Sequence, residues 1–268
     1  MATGKIYVFY DLETNGLDWK TTGIMQMSIL DINGSTILNQ YTYPFDNRID
    51  GTEIHHIDEE KLVKNNAIST VELCILIKKL LRERYDRNDI YLIAYNNFGY
   101  DQNILENNFK ISNIKIPNNW YFTDLFPIIK ELYPNIKPNH KLITVFENIC
   151  GKDDSINFHC SLGDTTCLYR LFNKIGYNPT IFNKYTRSLM SNNSIKESSI
   201  SSINGYHNSL PFNSNNIHKI GDLFNIYRAN NYDNDKFDAY LERNLNIYSK
   251  YFRSNLVKQV DFIYYLSK

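Results

Sequence analysis

The chain has 268 residues, of which 43% are hydrophobic and 14% aromatic, and its formal net charge at pH 7 is zero. This composition excludes an intrinsically disordered chain and supplies enough apolar side chains for the core of a globular protein. Because the net charge is zero, the chain has no overall positive field, and any contact with nucleic acid has to rest on a local basic patch.

The cysteine spacing and the hydropathy pattern indicate the cellular compartment in which the protein is expected. Four cysteines, at positions 74, 150, 160 and 167, show no CxxC spacing, and the chain has neither a signal peptide nor an apolar run long enough to span a bilayer. We therefore expect an intracellular protein, cytoplasmic or nuclear, without a membrane partner. Abundant Asn, Ile and Lys, which AT-rich codons encode, are compatible with a viral protein that acts in a host cell.

The N-terminal part of the chain predicts three antiparallel strands. Lys5–Tyr10 has the pattern of a buried strand, and Ile24–Ile32 and Thr36–Tyr43 predict two more. The last two are joined by Asn33-Gly34, a dipeptide typical of a tight β-hairpin turn.

Strands and helices then alternate. An amphipathic helix is predicted over Thr70–Tyr85 between two strands, which indicates a crossover connection and parallel pairing. The further predicted elements are strands at 89–96 and 120–124 and helices ending at 132 and covering 141–150 and 162–175. The expected fold class is α/β, with a mixed sheet of about five strands flanked by helices over residues 1–176.

The composition changes after Gly176. Residues 177–221 are rich in Ser and Asn and predict a linker or mobile loop, and residues 222–268 predict a helical C-terminal extension. Apolar residues recur at helical spacing over 237–256, interleaved with Lys and Arg. This helix either packs on the core or a sheet edge, or forms a contact with nucleic acid, a protein partner or a second copy of the chain.

Four acidic residues fall near the ends of predicted elements. Asp11 and Glu13 follow the first strand on one face, Asp101 follows the strand at 89–96, and Asp164 lies in the first turn of a helix, with His159 just before it. Taken singly, such acids are often solvated or favour a helix start, and a lone His is often structural.

The four acids indicate a common role in cation binding if they face one crevice. Like charges held close together are costly unless hard cations bind between them, and carboxylate oxygens are preferred ligands of Mg²⁺ and Mn²⁺. Two such ions form the clamp used by phosphoryl-transfer enzymes. The pattern therefore predicts a site for two divalent cations.

Three segments in this order, "FYDLETNGL", "AYNNFGYDQNIL" and "HCSLGD", resemble the three motifs of the DEDDh (DnaQ-like) 3′–5′ exonucleases, a family with a ribonuclease H-like fold. The spacing over 96–101 is most similar to that of the three-prime repair exonucleases, and "IHHI" at 54–57 resembles the I-H-G-I loop of the family. The resemblance covers about residues 5–176. Tyr95 stands where the family has His, and His56 where it has Gly. Cys160 occupies the position at which the sister DEDDy class has Tyr.

The resemblance implies a function and a site. Asp11, Glu13, Asp101 and Asp164 would hold two Mg²⁺ ions, for which Mn²⁺ could substitute, and His159 would be the general base that activates water. The residues implied in substrate binding are Leu12, Thr14, Leu17, Ile57, Asn96, Tyr100 and His159. For Leu12 and Leu17 core packing is the alternative.

The implied substrate is nucleic acid with a free 3′ end, and DNA is favoured over RNA. Cleavage would release 5′-mononucleotides. Two alternatives stay open: a 3′–5′ exoribonuclease or small-nucleotide phosphodiesterase on the same fold, and a catalytically silent nucleic-acid-binding or scaffold protein. The intact ligand set argues against the silent protein, because a pure binding protein has no chemical use for it.

Overall fold

A mixed sheet of seven strands forms the centre of the protein. The structure is a computed structural model that describes residues 4–46 and 48–189. Across the sheet the strands follow the order β4-β3-β2-β1-β5-β6-β7. Their bounds are β1 Lys5–Thr14, β2 Ile24–Leu30, β3 Thr36–Tyr43, β4 Ile68–Ser69, β5 Asp89–Ala94, β6 Trp120–Asp124 and β7 Thr186–Ser188.

The strand pairing is antiparallel among β1, β2 and β3, and parallel both at the centre of the sheet and between β3 and the edge strand β4. β1 pairs antiparallel with β2, and β2 pairs antiparallel with β3, as the hairpin pattern predicts. β1, β5 and β6 are parallel to one another, which confirms the predicted crossover connection. The carboxyl ends of these three strands therefore meet at one edge of the sheet, where open α/β folds place their ligands.

Eight helices connect and cover the described strands. They are α1 Thr52–His55, α2 Glu59–Lys64, α3 Thr70–Tyr85, α4 Asp101–Ile111, α5 Leu125–Leu132, α6 Leu142–Cys150, α7 Ser161–Ile175 and α8 Pro179–Lys184. The start of α3 is fixed by a capping box, in which Ser69 accepts a hydrogen bond from the Glu72 backbone and the Glu72 carboxylate accepts one from the Ser69 backbone.

The sheet has a hydrophobic layer on each face. On one face, side chains such as Val8 and Tyr10 of β1 pack in a cluster with residues of α3 and α4. On the other face, Phe9 packs with residues of α5, α6 and α7. Because successive side chains of a strand point to opposite faces, this alternation also decides which face each residue near the end of β1 can reach.

Two sequence predictions differ from the structure. The sheet has seven strands rather than five because the short strands β4 and β7 extend its two edges. The predicted boundary at 176 is too early: Pro179 starts α8 after an Asn178 cap, and β7 pairs antiparallel with β6. Residues 177–189 of the predicted linker thus include a helix and an edge strand, which their polar composition concealed.

The rest of the predicted linker and the helical extension over 222–268 lie outside the described residues. Within residues 4–46 and 48–189, no helix combines the length and the apolar character that a membrane crossing requires.

Candidate active site

Two acidic side chains project from the end of β1. The parallel pairing of β1 with β5 reaches only as far as Phe9 and Ile93, whereas β1 continues to Thr14 alongside β2. Asp11 and Glu13 therefore lie beyond the end of β5, on the face of the sheet that α7 covers. The extra length of β1 opens a pocket in front of both carboxylates.

Two helices bring the other two acids to the same pocket. Asp101 is the first residue of α4, and Asp164 lies in the first turn of α7. The pocket has a volume of about 230 Å³. Its lining consists of Asp11, Leu12, Glu13, Tyr95, Asn96, Tyr100, Asp101, Leu142, His159 and Asp164. The four acids and the histidine expected from the sequence thus share one pocket.

Three of the carboxylates are close enough for a single cation. Oxygen atoms of Asp11, Glu13 and Asp164 all lie within 4.8 Å of one another. Asp101 is not part of this group. It is only 4% exposed, and its carboxylate accepts hydrogen bonds from its own backbone N–H and that of Leu12.

The environment disfavours the charged forms of these acids. Burial and the nearby charges of Asp164, Asp101 and Glu13 raise the pKa of Asp11 well above its ordinary value. Burial and the charge of Asp164 raise the pKa of Glu13 to about 8. Burial raises the pKa of Asp164 to about 7. Without a cation to offset the repulsion, the cluster at neutral pH would therefore retain protons that isolated carboxyls lose.

This donor set fits a hard divalent cation. Carboxylate oxygens are the ligands that Mg²⁺ and Mn²⁺ prefer, and a bound cation would offset the repulsion that raises the pKa values. The observation that supports the fit is the grouping of three acids without a paired lysine or arginine within salt-bridge distance among the described residues.

The loop before α7 presents His159 at the rim of the pocket. His159 is exposed and has a φ of 60°, in the left-handed region, while its backbone N–H donates to the Asp164 carboxylate. Gly163 allows this arrangement, because a Cβ at that position would lie 2.0 Å from the carbonyl oxygen of Asn157. The Ser161 hydroxyl lies 2.7 Å from that of Ser28 and ties the start of α7 to β2.

Comparison with known proteins gives a sequence relative. The chain is 26% identical over 178 residues to Exonuclease DPD1, chloroplastic/mitochondrial, of Arabidopsis thaliana. The matched region covers 62% of this chain and 54% of the relative, so the chain spans about half the length of the curated protein it matches. No family model matches the sequence.

Solved structures of an exonuclease share the fold. A zinc-bound Escherichia coli ExoI–ssDNA complex superposes with a TM-score of 0.56 at 16% identity, over 68% of this chain and 43% of that one. E. coli Exonuclease I in complex with a dA16 oligonucleotide gives a TM-score of 0.55 at 15% identity, over 67% and 42% of the two chains. The chain is thus similar in sequence to an exonuclease and shares the ribonuclease H-like fold of E. coli Exonuclease I.

The substrate-binding residues expected from the sequence are only partly brought together. Leu12, Asn96 and Tyr100 line the pocket with the acids and His159, and Leu12 is also buried in the core cluster on β1, as its alternative predicts. Thr14 lies behind them, and its hydroxyl shares a hydrogen bond with the Tyr100 hydroxyl, 2.5 Å away. Leu17 lies outside the pocket lining and is 85% exposed, so core packing, the alternative for this residue, is wrong.

Ile57 is placed differently from the expectation. Its side chain is fully buried and packs with Met25 and Leu62, so it does not line the pocket. The two histidines before it explain the local structure. His55 is buried and accepts a hydrogen bond from the Ile57 backbone, and His56 has a φ of 53°, a left-handed conformation that glycine adopts more easily. This fits the glycine that the family has at position 56.

Tyr95 occupies the place of the family's histidine and also lines the pocket. Its hydroxyl donates to the carbonyl oxygen of His140, 2.7 Å away, and its ring packs edge-on against Phe126. Because the hydroxyl already donates its hydrogen to this backbone carbonyl, we expect Tyr95 to form part of the pocket wall.

Sequence reasoning missed a buried polar network beneath the pocket. Asn97 is fully buried, accepts a hydrogen bond from the Tyr10 hydroxyl and donates to the carbonyl oxygens of Thr123 and Leu92. Asp124 accepts hydrogen bonds from the backbone of Phe98 and Phe126, each at 3.0 Å.

Through these contacts the network connects β1, β5 and β6 to the turn that carries Asn96, which has a φ of 57°. In the sequence, this network is indicated only by a tyrosine within a buried strand and an aspartate at the end of another strand. Both features are common in proteins where they have no part in a functional site.

Proposed function

We propose that the protein is a DEDDh exonuclease that hydrolyses phosphodiester bonds from the 3′ end of DNA, on single strands or frayed ends, and releases 5′-mononucleotides. The observation that carries the proposal is the grouping of Asp11, Glu13 and Asp164 within 4.8 Å, in a pocket that also contains His159. The spacing over residues 96–101 favours a relationship to the three-prime repair exonucleases within that family.

Asp11, Glu13, Asp101 and Asp164 are the residues proposed to hold two divalent cations, Mg²⁺ or Mn²⁺. When bound, such ions acidify water and stabilise charge on the leaving oxygen in phosphoryl transfer. The chain itself supplies a fixed cluster of oxygen donors, since Asp101 and Asp164 are both hydrogen-bonded to backbone N–H groups that hold their carboxylates in place.

His159 is the proposed general base. It lies at the exposed rim of the acid pocket, where an imidazole nitrogen can take a proton from the attacking water and pass it to solvent. Leu12, Asn96 and Tyr100 are proposed to contact the terminal nucleotide, because they line the pocket beside the acids.

Single-stranded DNA is the preferred substrate in this proposal. The support for this preference is that the solved structures with the same fold include complexes of E. coli ExoI with ssDNA and with a dA16 oligonucleotide. An intracellular location, cytoplasmic or nuclear, and a protein or dimer contact through residues 222–268 are further parts of the proposal, and both come from the sequence alone.

The test uses 5′-labelled oligonucleotides of one sequence as DNA and as RNA. With Mg²⁺ we expect stepwise shortening of the DNA from its 3′ end, faster than that of the RNA, and no shortening in EDTA. A 3′-phosphate should block the reaction, and circular single-stranded DNA should persist as a control. Cleavage of the circle would indicate an endonuclease, cleavage in EDTA would contradict the role of metal, and faster loss of the RNA would identify the protein as an exoribonuclease.

A further inference from the structure

The loop that follows β1 is ordered by its own hydrogen bonds. The backbone N–H groups of Thr21 and Thr22 both donate to the carbonyl oxygen of Asp18, each at 2.9 Å. The side-chain oxygen of Asn15 accepts a hydrogen bond from the Gly23 backbone at 2.7 Å and closes the loop at its base. The loop over residues 16–22 therefore has a defined shape.

Helix α4 holds the same loop from outside. The Asn107 side-chain amide donates to the carbonyl oxygens of both Trp19 and Lys20, at 3.0 Å each, and Asn108 donates to that of Thr22 at 3.1 Å. Asp101, which lines the acid pocket, is the first residue of this helix, and Asn107 follows it by six positions. With a rise of 1.5 Å per residue, Asn107 lies about 9 Å along the axis of α4 from Asp101, and it anchors the Trp19 backbone at that level of the helix.

At its other end the loop touches the pocket wall directly. The hydroxyl of Tyr100, a pocket residue, donates to the carbonyl oxygen of Gly16. The loop thus runs outward from the pocket, from Gly16 to Trp19, and is fixed at both points.

This fixed loop exposes an aromatic ring with a cation beside it. Trp19 is 42% exposed, whereas Trp120, the other tryptophan of the chain, is buried in the core with 2% exposure. The Lys20 ammonium lies over the Trp19 ring, 5.5 Å from its centroid. A partly exposed indole in an ordered loop, with a cation on one face, has the chemistry of a stacking surface for nucleic-acid bases, which stack on aromatic rings while cations contact their phosphates.

We propose that Trp19 and Lys20 form a second contact for the substrate strand, in which a base stacks on Trp19 and a neighbouring phosphate meets Lys20. The inference rests on the proposed nuclease function and adds a contact outside the acid pocket. Because Asn107, which holds the Trp19 backbone, lies about 9 Å along the axis of α4 from Asp101, a strand whose 3′ end lies in the acid pocket has to extend beyond its terminal nucleotide to reach Trp19. The proposed ligand is a single strand longer than two nucleotides.

The experiment measures the binding of two DNA probes in Ca²⁺, dT2 and dT8, by wild type and three variants. Trp19→Ala removes the ring, Trp19→Phe keeps an aromatic face, and Tyr133→Ala removes a comparably exposed aromatic residue, 37% exposed, outside the pocket lining. We expect Trp19→Ala to lower the ratio of dT8 to dT2 affinity by about 5- to 150-fold, the range for loss of one stacked base. Trp19→Phe should restore most of the ratio, and Tyr133→Ala should leave it at the wild-type value.

Tryptophan fluorescence supplies a second readout. Saturation with dT8 should quench the emission of wild type and not that of Trp19→Phe, in which only the buried Trp120 remains. Equal quenching in both proteins, an unchanged affinity ratio in Trp19→Ala, or no dT8 binding by wild type would overturn the inference. A loss that Trp19→Phe does not reverse would also overturn stacking and favour a docking site for a protein.

Failure of this inference is distinguishable from failure of the proposed function. If wild type shortens DNA from its 3′ end and Trp19→Ala keeps the wild-type ratio of dT8 to dT2 affinity, the proposed contact at Trp19 is wrong and the nuclease assignment stands. If wild type binds dT8 through Trp19 and never shortens it, the nuclease assignment fails.

Discussion

Helix α7 contains one aspartate, Asp164, and forms an ion pair with another, Asp153. The pKa values of these two carboxyl groups are shifted in opposite directions. Asp164, in its first turn, has a pKa raised to about 7 by burial. Asp153 lies in the loop before the helix, and its pKa is lowered to about 2 by hydrogen bonds from Ser155 and Arg170. The Arg170 guanidinium comes from α7 itself and lies 2.6 Å from the Asp153 carboxylate.

The two aspartates differ in whether a cation of the chain lies within ion-pair distance of the carboxylate; in the acid cluster the charge of Lys61 lowers the pKa of Glu13 only in part. The same helix that supplies an arginine to the half-buried Asp153 places Asp164 beside two more carboxylates, and no cation lies within ion-pair distance of these three among the described residues. A protein that only needed a stable pocket would be better served by an ion pair or by apolar side chains. We infer that the neutralising charge comes from outside the chain, which is the expectation for a metal site.

The largest expected effect comes from removing one carboxylate of the cluster. Asp11→Asn should reduce exonuclease turnover by more than about 10⁴-fold, beyond the range for loss of a proton-transfer group alone, because it removes a central ligand. Asp153→Asn is the matched control, an aspartate to asparagine change outside the pocket. Initial rates on a 5′-labelled single strand in Mg²⁺ measure both. A comparable loss in the two variants would mean that the pocket has no special role.

Removal of the proposed base should have the next largest effect. His159→Ala should lower turnover by about 10²–10⁴-fold, the range for general base catalysis, and should preserve metal binding, since the four carboxylates stay in place. His140→Ala is the control, because its ring contacts the carbonyl oxygen of Tyr133 outside the pocket lining. Rates per folded molecule decide the matter, and near-wild-type turnover in His159→Ala would remove the base assignment.

The pH dependence of stability should distinguish the two environments. The folded pKa values of Glu13 and Asp164, about 8 and about 7, lie above the ordinary values of 4.5 and 3.8. The folded state therefore binds more protons than the unfolded state between these limits, so that stability falls as pH rises. Without divalent cations, we expect the free energy of unfolding to decrease by about 2–4 kcal/mol from pH 5 to pH 9. A pKa shift corresponds to roughly 1.4 kcal/mol per unit, and the expected change is smaller than the sum of the two shifts because the two carboxyl groups influence each other's protonation.

Denaturant melts of the cation-free protein at several pH values measure this change. Asp11→Asn should flatten the curve, because it removes one of the repelling charges. A wild-type protein that becomes more stable from pH 5 to pH 9 would contradict the assignment of repulsion in the pocket.

The smallest effect is expected at the paired aspartate. Its folded pKa lies below the ordinary value, so the pair stabilises the protein above about pH 4 and loses this contribution as the pH falls toward 2. Asp153→Asn should lower the melting temperature slightly at pH 7 and leave turnover unchanged, since the pair is solvent-accessible and screened. Added salt should reduce the difference from wild type, and a large, salt-independent loss would show that the pair does more than close a surface loop.

The sequence predicts most of the fold because its signals are local. The limits of α3, β3 and β6 agree with the apolar periodicity, and Asn33-Gly34 correctly indicates the first hairpin. The edge strands β4 and β7 escape prediction, since two or three residues show no periodicity and pair only because the sheet is already there. Polar composition over 177–189 likewise hides a helix that Phe182 anchors in the core.

The site is predictable to the extent that it depends on motif order. The acids and His159 come from three motifs, and the structure places them in one pocket. Ile57 shows the limit, because a loop resemblance carries no information on which side the side chain faces. Asn97 and Asp124 show another limit, since their role depends on contacts among three strands far apart in sequence.

The most direct test of the metal site is the change in melting temperature that millimolar Mn²⁺ produces at pH 8, measured for wild type, Asp11→Asn and Asp153→Asn. A ligand that binds only the folded state raises its stability, so the shift reports cation binding without requiring turnover. We expect a rise of several degrees in wild type and in Asp153→Asn, and little or no rise in Asp11→Asn. Equal shifts in all three proteins, or no shift in wild type, would contradict a cation site formed by the pocket carboxylates.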